Sequence, residues 1–223
     1  FDASGSMWQQ INGQSKYDMA SKALADIMRT QDPRSEIGLI AYGHRRKGDC
    51  RDIETLVQPA AYSANDMMLS VNQIRPTGKT PLTDAIRQAA RSLKFQVRAA
   101  RVIVLTDGLE TCGADPCAAA AELEKLGIEF TANVIGLGTG KVNTSTLQCI
   151  ADNTGGIFLE AANAGELQQR LNEVFEGKEI DKLKRDIAIY KDELEKALRK
   201  LTEKTRDLQN AQGDLSNAKG DLD

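Results

Sequence analysis

The sequence predicts an α/β fold, a doubly wound and mostly parallel sheet covered by helices on both faces, followed by a long C-terminal helix. Three observations predict it. Short apolar runs at 36–42, 101–106 and 128–137 alternate with stretches whose apolar residues fall three and four apart, as expected of strands alternating with covering helices. The run Val102-Ile103-Val104-Leu105 is apolar without a break, as a strand buried on both faces must be, and it ends on Thr106-Asp107-Gly108. From Ile180 to Leu222 an apolar residue recurs at every seventh position, the period of a coiled coil.

The first residues, Phe1-Asp2-Ala3-Ser4-Gly5-Ser6-Met7, read as the end of an apolar strand running into a tight loop. Alternation by two lets Asp2, Ser4 and Ser6 turn toward one point, while Ala3 and Gly5 leave room for the turn. Phe1 is not an initiator residue and the motif lacks the strand that should carry it, so a first strand is expected upstream. Trp8 falls in the loop that follows. Tyr17, Ala20, Leu24, Ile27 and Met28 then give an amphipathic helix over 15–31. Glu36 to Tyr42 reads as a buried strand, Gly43 to Cys50 as a basic loop carrying His44, Arg45 and Arg46, and Ile53 to Val57 as an edge strand paired back on the first.

A helix over 63–74 ends at Arg75-Pro76, and Thr77-Gly78-Lys79-Thr80 forms a loop before a helix that Pro81 opens. Strand 101–106 delivers Asp107 to the carboxyl end of the sheet, where ligands of open α/β folds bind. Asp115-Pro116 caps a helix running to Leu126. A strand at 128–137, a helix at 144–152, a strand at 156–159 and a closing helix at 165–176 complete the domain. A helix from about 178 to 222 would be about 65 Å long at the standard rise. Its apolar stripe of Ile180, Ile187, Leu194, Leu201, Leu208, Leu215 and Leu222 argues for an oligomerising coil. The second stripe, Leu183, Tyr190, Ala197, Lys204, Ala211 and Ala218, is thinner, and Gly213 and Gly220 weaken the end.

A chain of 223 residues, 41% apolar, accommodates one α/β domain with an appendage. Its net charge of -3 argues against nucleic acid as the main partner, and no apolar run is long enough to span a bilayer. Two glycine motifs imitate phosphate loops. Gly78-Lys79-Thr80 has Gln73 where the first glycine belongs, and Gly140-Lys141 has Ile135 there and Val142 in place of a hydroxyl. Neither supports nucleotide binding. The sequon at Asn143 matters only on a glycosylating secretory route. Four cysteines permit three pairings, or His44 and Cys50 with the Cys112-x₄-Cys117 pair could instead hold zinc, at a spacing wider than the usual knuckle.

Asp2-x-Ser4-x-Ser6, then Thr80, then Asp107 in a Thr-Asp-Gly turn resembles the metal-ion-dependent adhesion site of von Willebrand factor A (VWA) domains, the fold of integrin inserted domains. The resemblance covers roughly residues 1 to 175 and implies a Rossmann-like domain at 1–176 with a helical stalk at 177–223. It also implies that Ser4 and Ser6 bind a divalent ion directly. Thr80 and Asp107 would alternate between direct and water-bridged contact, and Asp2 would act through water. Mg²⁺ is the expected ion, with Mn²⁺ or Ca²⁺ as substitutes. The partner would be a protein presenting Asp or Glu, met by a rim of Trp8, His44, Arg45, Arg46 and Glu110.

On that fold Cys50 and Cys112 lie in loops of the metal-bearing rim, while Cys117 and Cys149 begin helices that share a face. The favoured pairs are therefore Cys50 with Cys112 and Cys117 with Cys149. An even cysteine count favours a periplasmic or cell-surface adhesion or scaffolding module. A cytoplasmic helper subunit of an ATPase or chelatase is the alternative, and reduced cysteines would favour it. Catalysis is not expected, because the one histidine, His44, has no evident partner in the sequence and no nucleophile or oxyanion hole is legible.

Overall fold

The structure is a computed structural model that describes residues 1–220 except 33, 62, 63 and 141, with the side chains of the last helix described at 187 and over 189–211. It divides into two compact units, Phe1–Gly177 and Lys178–Asp223.

In the first unit a 3-10 turn, Gly5–Trp8, follows the opening residues, and β1 (Gln10–Ile11) and β2 (Gln14–Ser15) form a small hairpin. Its turn is Asn12-Gly13, both at positive φ, the pairing that tight hairpins favour. Helix α1 (Lys16–Met28) starts on Ser15, whose hydroxyl oxygen accepts from the Asp18 amide. Next come β3 (Glu36–Tyr42), β4 (Ile53–Ala61), α2 (Ala64–Asn72) and α3 (Leu82–Ser92). The remainder is β5 (Ala100–Thr106), α4 (Pro116–Leu126), β6 (Phe130–Leu137), α5 (Ser145–Asn153), β7 (Phe158–Ala161) and α6 (Ala164–Glu176).

Strands β5, β6 and β7 pair in parallel, and β3 pairs antiparallel with β4. Residues 1–3 join the two sets. The Asp2 amide donates to the Leu105 carbonyl at 2.9 Å, and the Ala3 amide to that of Tyr42 at 2.9 Å. The order is therefore β4, β3, residues 1–3, β5, β6, β7, and the loops leaving Ala3, Tyr42 and Thr106 open on the same rim.

Side chains alternate along β5. Val102 and Val104 pack with Leu82, Ile86, Leu123 and Ile150 of α3, α4 and α5, whereas Ile103 and Leu105 pack with Tyr17, Ala20, Leu167 and Val174 of α1 and α6. One strand thus feeds two cores, the physical content of a doubly wound sheet. A third cluster joins Leu24, Ile27 and Met28 of α1 to Met67 and Val71 of α2.

The predicted elements are present, with edges moved where tertiary contacts decide. The β4 strand continues past Val57 through Pro59 to Ala61, because it pairs on one side only and a ring without an amide proton is tolerated there. Gly38 makes the space: a Cβ on it would meet the Pro59 ring at 2.9 Å, and the register slips at that point.

The second unit is α7 (Lys178–Gly220). Ile187, Leu194, Leu201 and Leu208 are all exposed on it, 48 to 64%. Tyr190, Ala197, Lys204 and Ala211 of the second stripe are exposed as well, whereas the side chains of Ile180, Leu183, Leu215 and Ala218 lie outside the described residues, as does Leu222 altogether. Among the described residues no helix is long and apolar enough to cross a membrane.

Candidate metal centre

Three loops meet at the rim, and glycines set how closely they meet. The Gly5 amide donates to the Gly78 carbonyl at 3.0 Å, the Thr77 amide to the Ala3 carbonyl at 3.2 Å, and the Gly78 amide to the Gly43 carbonyl at 2.7 Å. Gly43 sits at φ 72°, and a Cβ on it would strike the Lys79 carbonyl oxygen and stand 3.0 Å from Ser4 Cα. Thr80 is placed through its backbone. Its amide donates to the Thr111 hydroxyl at 2.8 Å and its carbonyl accepts from the Thr111 amide at 3.1 Å, which ties the Thr80 loop to the segment after β5.

Within this frame the oxygens of Ser4, Ser6 and Asp107 converge. Ser6 Oγ donates to Asp107 Oδ1 at 2.7 Å, and Ser4 Oγ lies 3.0 Å from Ser6 Oγ. Asp2 is fully buried behind them, with Oδ1 accepting from the Ser4 amide at 2.8 Å and Oδ2 from the Thr106 hydroxyl at 2.6 Å. Burial, and then the charge of Asp107, push the Asp2 carboxyl above its ordinary 3.8, against the lowering effect of those two bonds. Burial likewise pushes the neighbouring Tyr42 phenol well above its usual value, with the Asp2 charge adding to the shift.

The donor set fits a hard cation. Adjacent oxygens of an octahedral Mg²⁺ shell stand about 2.9 Å apart, given metal–oxygen distances of about 2.0–2.1 Å. The serine and aspartate separations bracket that value. Asp2, with both oxygens engaged by Thr106 and Ser4, is placed to hold the loop rather than to face the same point. Neutral hydroxyls outnumber acids here, so among the described residues no group of three His, Cys, Asp or Glu side chains is arranged for a metal.

Lys16 is the site residue that sequence reasoning passes over. It is 5% exposed, and its ammonium contacts Asp107 Oδ2 at 2.9 Å and Gln9 Oε1 at 3.1 Å. The only local cue is Asn12-Gly13, whose tight turn brings the chain back so that the Lys16 amide bonds the Gln9 carbonyl at 2.9 Å.

The expected rim residues are used in different ways. Trp8 is half-exposed, with its indole donating to the Pro76 carbonyl at 2.7 Å. Arg46 is exposed and pairs with Asp49 at 3.3 Å. Arg45 is committed to Asp52 through a 2.7 Å charged bond, and the His44 side chain is largely covered, with Nε2 2.9 Å from Glu54. Glu110 accepts from the Thr83 amide at the start of α3 and from the Cys112 amide, so both its oxygens serve the backbone.

Cys50 is joined to Cys112 and Cys117 to Cys149, with Cα separations of 5.6 and 5.5 Å. The first disulfide fastens the basic loop after β3 to the segment after β5, two loops that carry the site. The second ties the start of α4 to α5. With all four cysteines paired, the zinc alternative has no thiolate left.

The carboxyl-end rim of this α/β domain thus gathers serine hydroxyls and buried aspartates. The chain belongs to the von Willebrand factor type A domain family, whose sequence model matches residues 1–110. It is 30% identical over 181 residues to the uncharacterized protein YwmD of Bacillus subtilis (strain 168), covering 76% of this chain and 80% of that protein. Its fold is similar to the crystal structure of an aerotolerance-related membrane protein from Bacteroides fragilis NCTC 9343, carrying multiple mutations to serines, with a TM-score of 0.60. That match has 20% identity and covers 79% of this chain and 96% of the other. It is also similar to proximal thread matrix protein 1 from the mussel byssus with a zinc-occupied MIDAS motif, with a TM-score of 0.57 and 23% identity. There the match covers 78% of this chain and 43% of the other.

Proposed function

We propose that Asp2, Ser4, Ser6, Thr80 and Asp107 form a complete metal-ion-dependent adhesion site of the integrin-inserted-domain type, and that the domain is a protein-binding rather than a catalytic module. The observation that carries this reading is the Ser4–Ser6 and Ser6–Asp107 oxygen spacing of 3.0 and 2.7 Å, the second pair being 101 residues apart in sequence. When bound, a divalent cation, Mg²⁺ first and Mn²⁺ or Ca²⁺ as substitutes, would supply a Lewis-acidic position for an Asp or Glu side chain of a partner protein. Ser4, Ser6 and Asp107 hold the cation, Asp2 and Thr106 fix the loop, and Thr80 offers a further hydroxyl. Trp8 and Arg46 supply exposed contact surface beside it. The occupied adhesion site of the mussel protein supports the assignment of this rim as the ligand position.

Two disulfides favour a periplasmic or cell-surface setting over the cytosolic helper-subunit alternative, because structural disulfides persist in oxidising compartments. The exposed heptad face of α7 supports self-association of the stalk into a coiled coil. Calorimetric titration of chelator-treated protein with MgCl₂ and MnCl₂ tests the site. The wild type should bind one equivalent, and Asp107→Ala or Ser6→Ala should weaken binding at least about tenfold, equivalent to about 1.4 kcal/mol. Equal binding by all three proteins would remove the site from this rim.

A further inference from the structure

Lys16 is a buried charged group in direct contact with Asp107 that the ligand set does not use. We propose that its ammonium is a built-in counter-charge of the cation site, which occupies one oxygen of Asp107 and thereby lowers the affinity for a divalent cation. The proposal rests on the reading of this rim as a metal centre.

Three observations carry it. Lys16 is almost wholly buried, so its charge is not diluted by water, and its contact with Asp107 Oδ2 at 2.9 Å is a direct ion pair. The other oxygen of the same carboxylate is the one engaged by Ser6, so the ammonium and the hydroxyl cluster share Asp107 between them. The lysine is also held in place. It opens α1, its amide is bonded to Gln9, its ammonium to the Gln9 side chain, and its stem lies beside Gly138, where an added Cβ would stand 3.1 Å from Lys16 Cε.

The electrostatic consequence has a definite sign. Asp2 and Asp107 bring two buried acids to the centre and Lys16 removes one unit of that negative charge. A divalent cation entering beside the ammonium meets like charge at close range and shares Asp107 with it, so binding is weaker than the two acids alone would give.

Neutralising the lysine tests this directly. Chelator-treated full chains of wild type, Lys16→Met and Lys16→Gln are titrated calorimetrically with MnCl₂, with circular dichroism melts as a check on folding. Lys22→Met serves as the control, since Lys22 is an exposed lysine on the same helix that pairs with Asp26. Both neutral variants should bind Mn²⁺ about tenfold more tightly than wild type or more, and Lys22→Met should not move. If Lys16→Met does not fold, Lys16→Gln, which keeps a hydrogen-bond donor toward Asp107, makes the same comparison. Unchanged or weaker Mn²⁺ binding in a folded neutral variant overturns the counter-charge role while leaving the metal centre standing. Absence of Mn²⁺ binding in every protein, wild type included, overturns the centre itself and the inference with it.

Discussion

Asp52 shows how a single side chain holds the basic loop against the site. Both of its oxygens are buried, one taking the Arg45 guanidinium at 2.7 Å and the other the Arg45 and Arg46 amides at 2.7 and 2.9 Å. Burial pushes its carboxyl upward, but those bonds outweigh the burial and hold it below 3.8. A carboxyl depressed by folding contributes stability that is present above the unfolded value near 3.9 and is lost as pH falls through the folded value. Asp52→Asn should therefore destabilise the domain by about 1.5–3 kcal/mol at neutral pH, the range for hydrogen bonds to a charged group. Urea denaturation of both proteins from pH 7 down to pH 2 checks this, and the gap between them should close below about pH 4. Gly43 acts at the same scale through space rather than charge. Its left-handed backbone and the carbonyl of Lys79 leave no room for a side chain where the three loops touch.

At the scale of elements, the site depends on how loops are fastened to strands and helices. Glu110 caps α3 through the Thr83 amide, Asp115 caps α4 through the Cys117 and Ala118 amides, and Asn163 caps α6 through the Glu166 amide. The Cys50–Cys112 disulfide closes a span of 62 residues between the two loops that flank the rim. The Cys50→Ser, Cys112→Ser double variant should lose about 4 kcal/mol or slightly more on a loop-entropy basis. Its Mg²⁺ affinity should fall with that loss, since the loops carrying Gly43 and Asp107 are released. The Cys117–Cys149 disulfide ties helices away from the rim, so the matching double variant should lose comparable stability while keeping the affinity. Guanidinium melts paired with metal titration separate the two cases.

For the molecule as a whole, the heptad face of α7 is expected to associate with other copies. Leu194→Asp together with Leu201→Asp should lower the sedimentation mass to that of one chain at concentrations where the wild type assembles, leaving the melting of Phe1–Gly177 unchanged. A wild type that sediments as a monomer throughout would leave the stripe without a coil partner.

Several assignments were legible in the residues. The apolar run ending on Asp107, the helix opened by Asp115-Pro116 and the seven-residue period beyond Gly177 are local patterns, and local patterns fix element type because backbone hydrogen bonding repeats along the chain. The strand through Pro59 was not legible, since only its place on the sheet edge and the gap at Gly38 make it tolerable. Lys16 was hidden for a stronger reason. A lysine at the start of a helix ordinarily points to water, and nothing near it in the chain announces an acid 91 residues away. The sequence by itself determined the α/β class, the oxygen-rich loop and the helical appendage, because these follow from periodicity and residue chemistry over a few turns of chain. Only the tertiary structure decided which oxygens meet, which rim residues remain exposed and which cation already stands beside Asp107, because those are set by loop closure through Gly43, Gly78 and the disulfides.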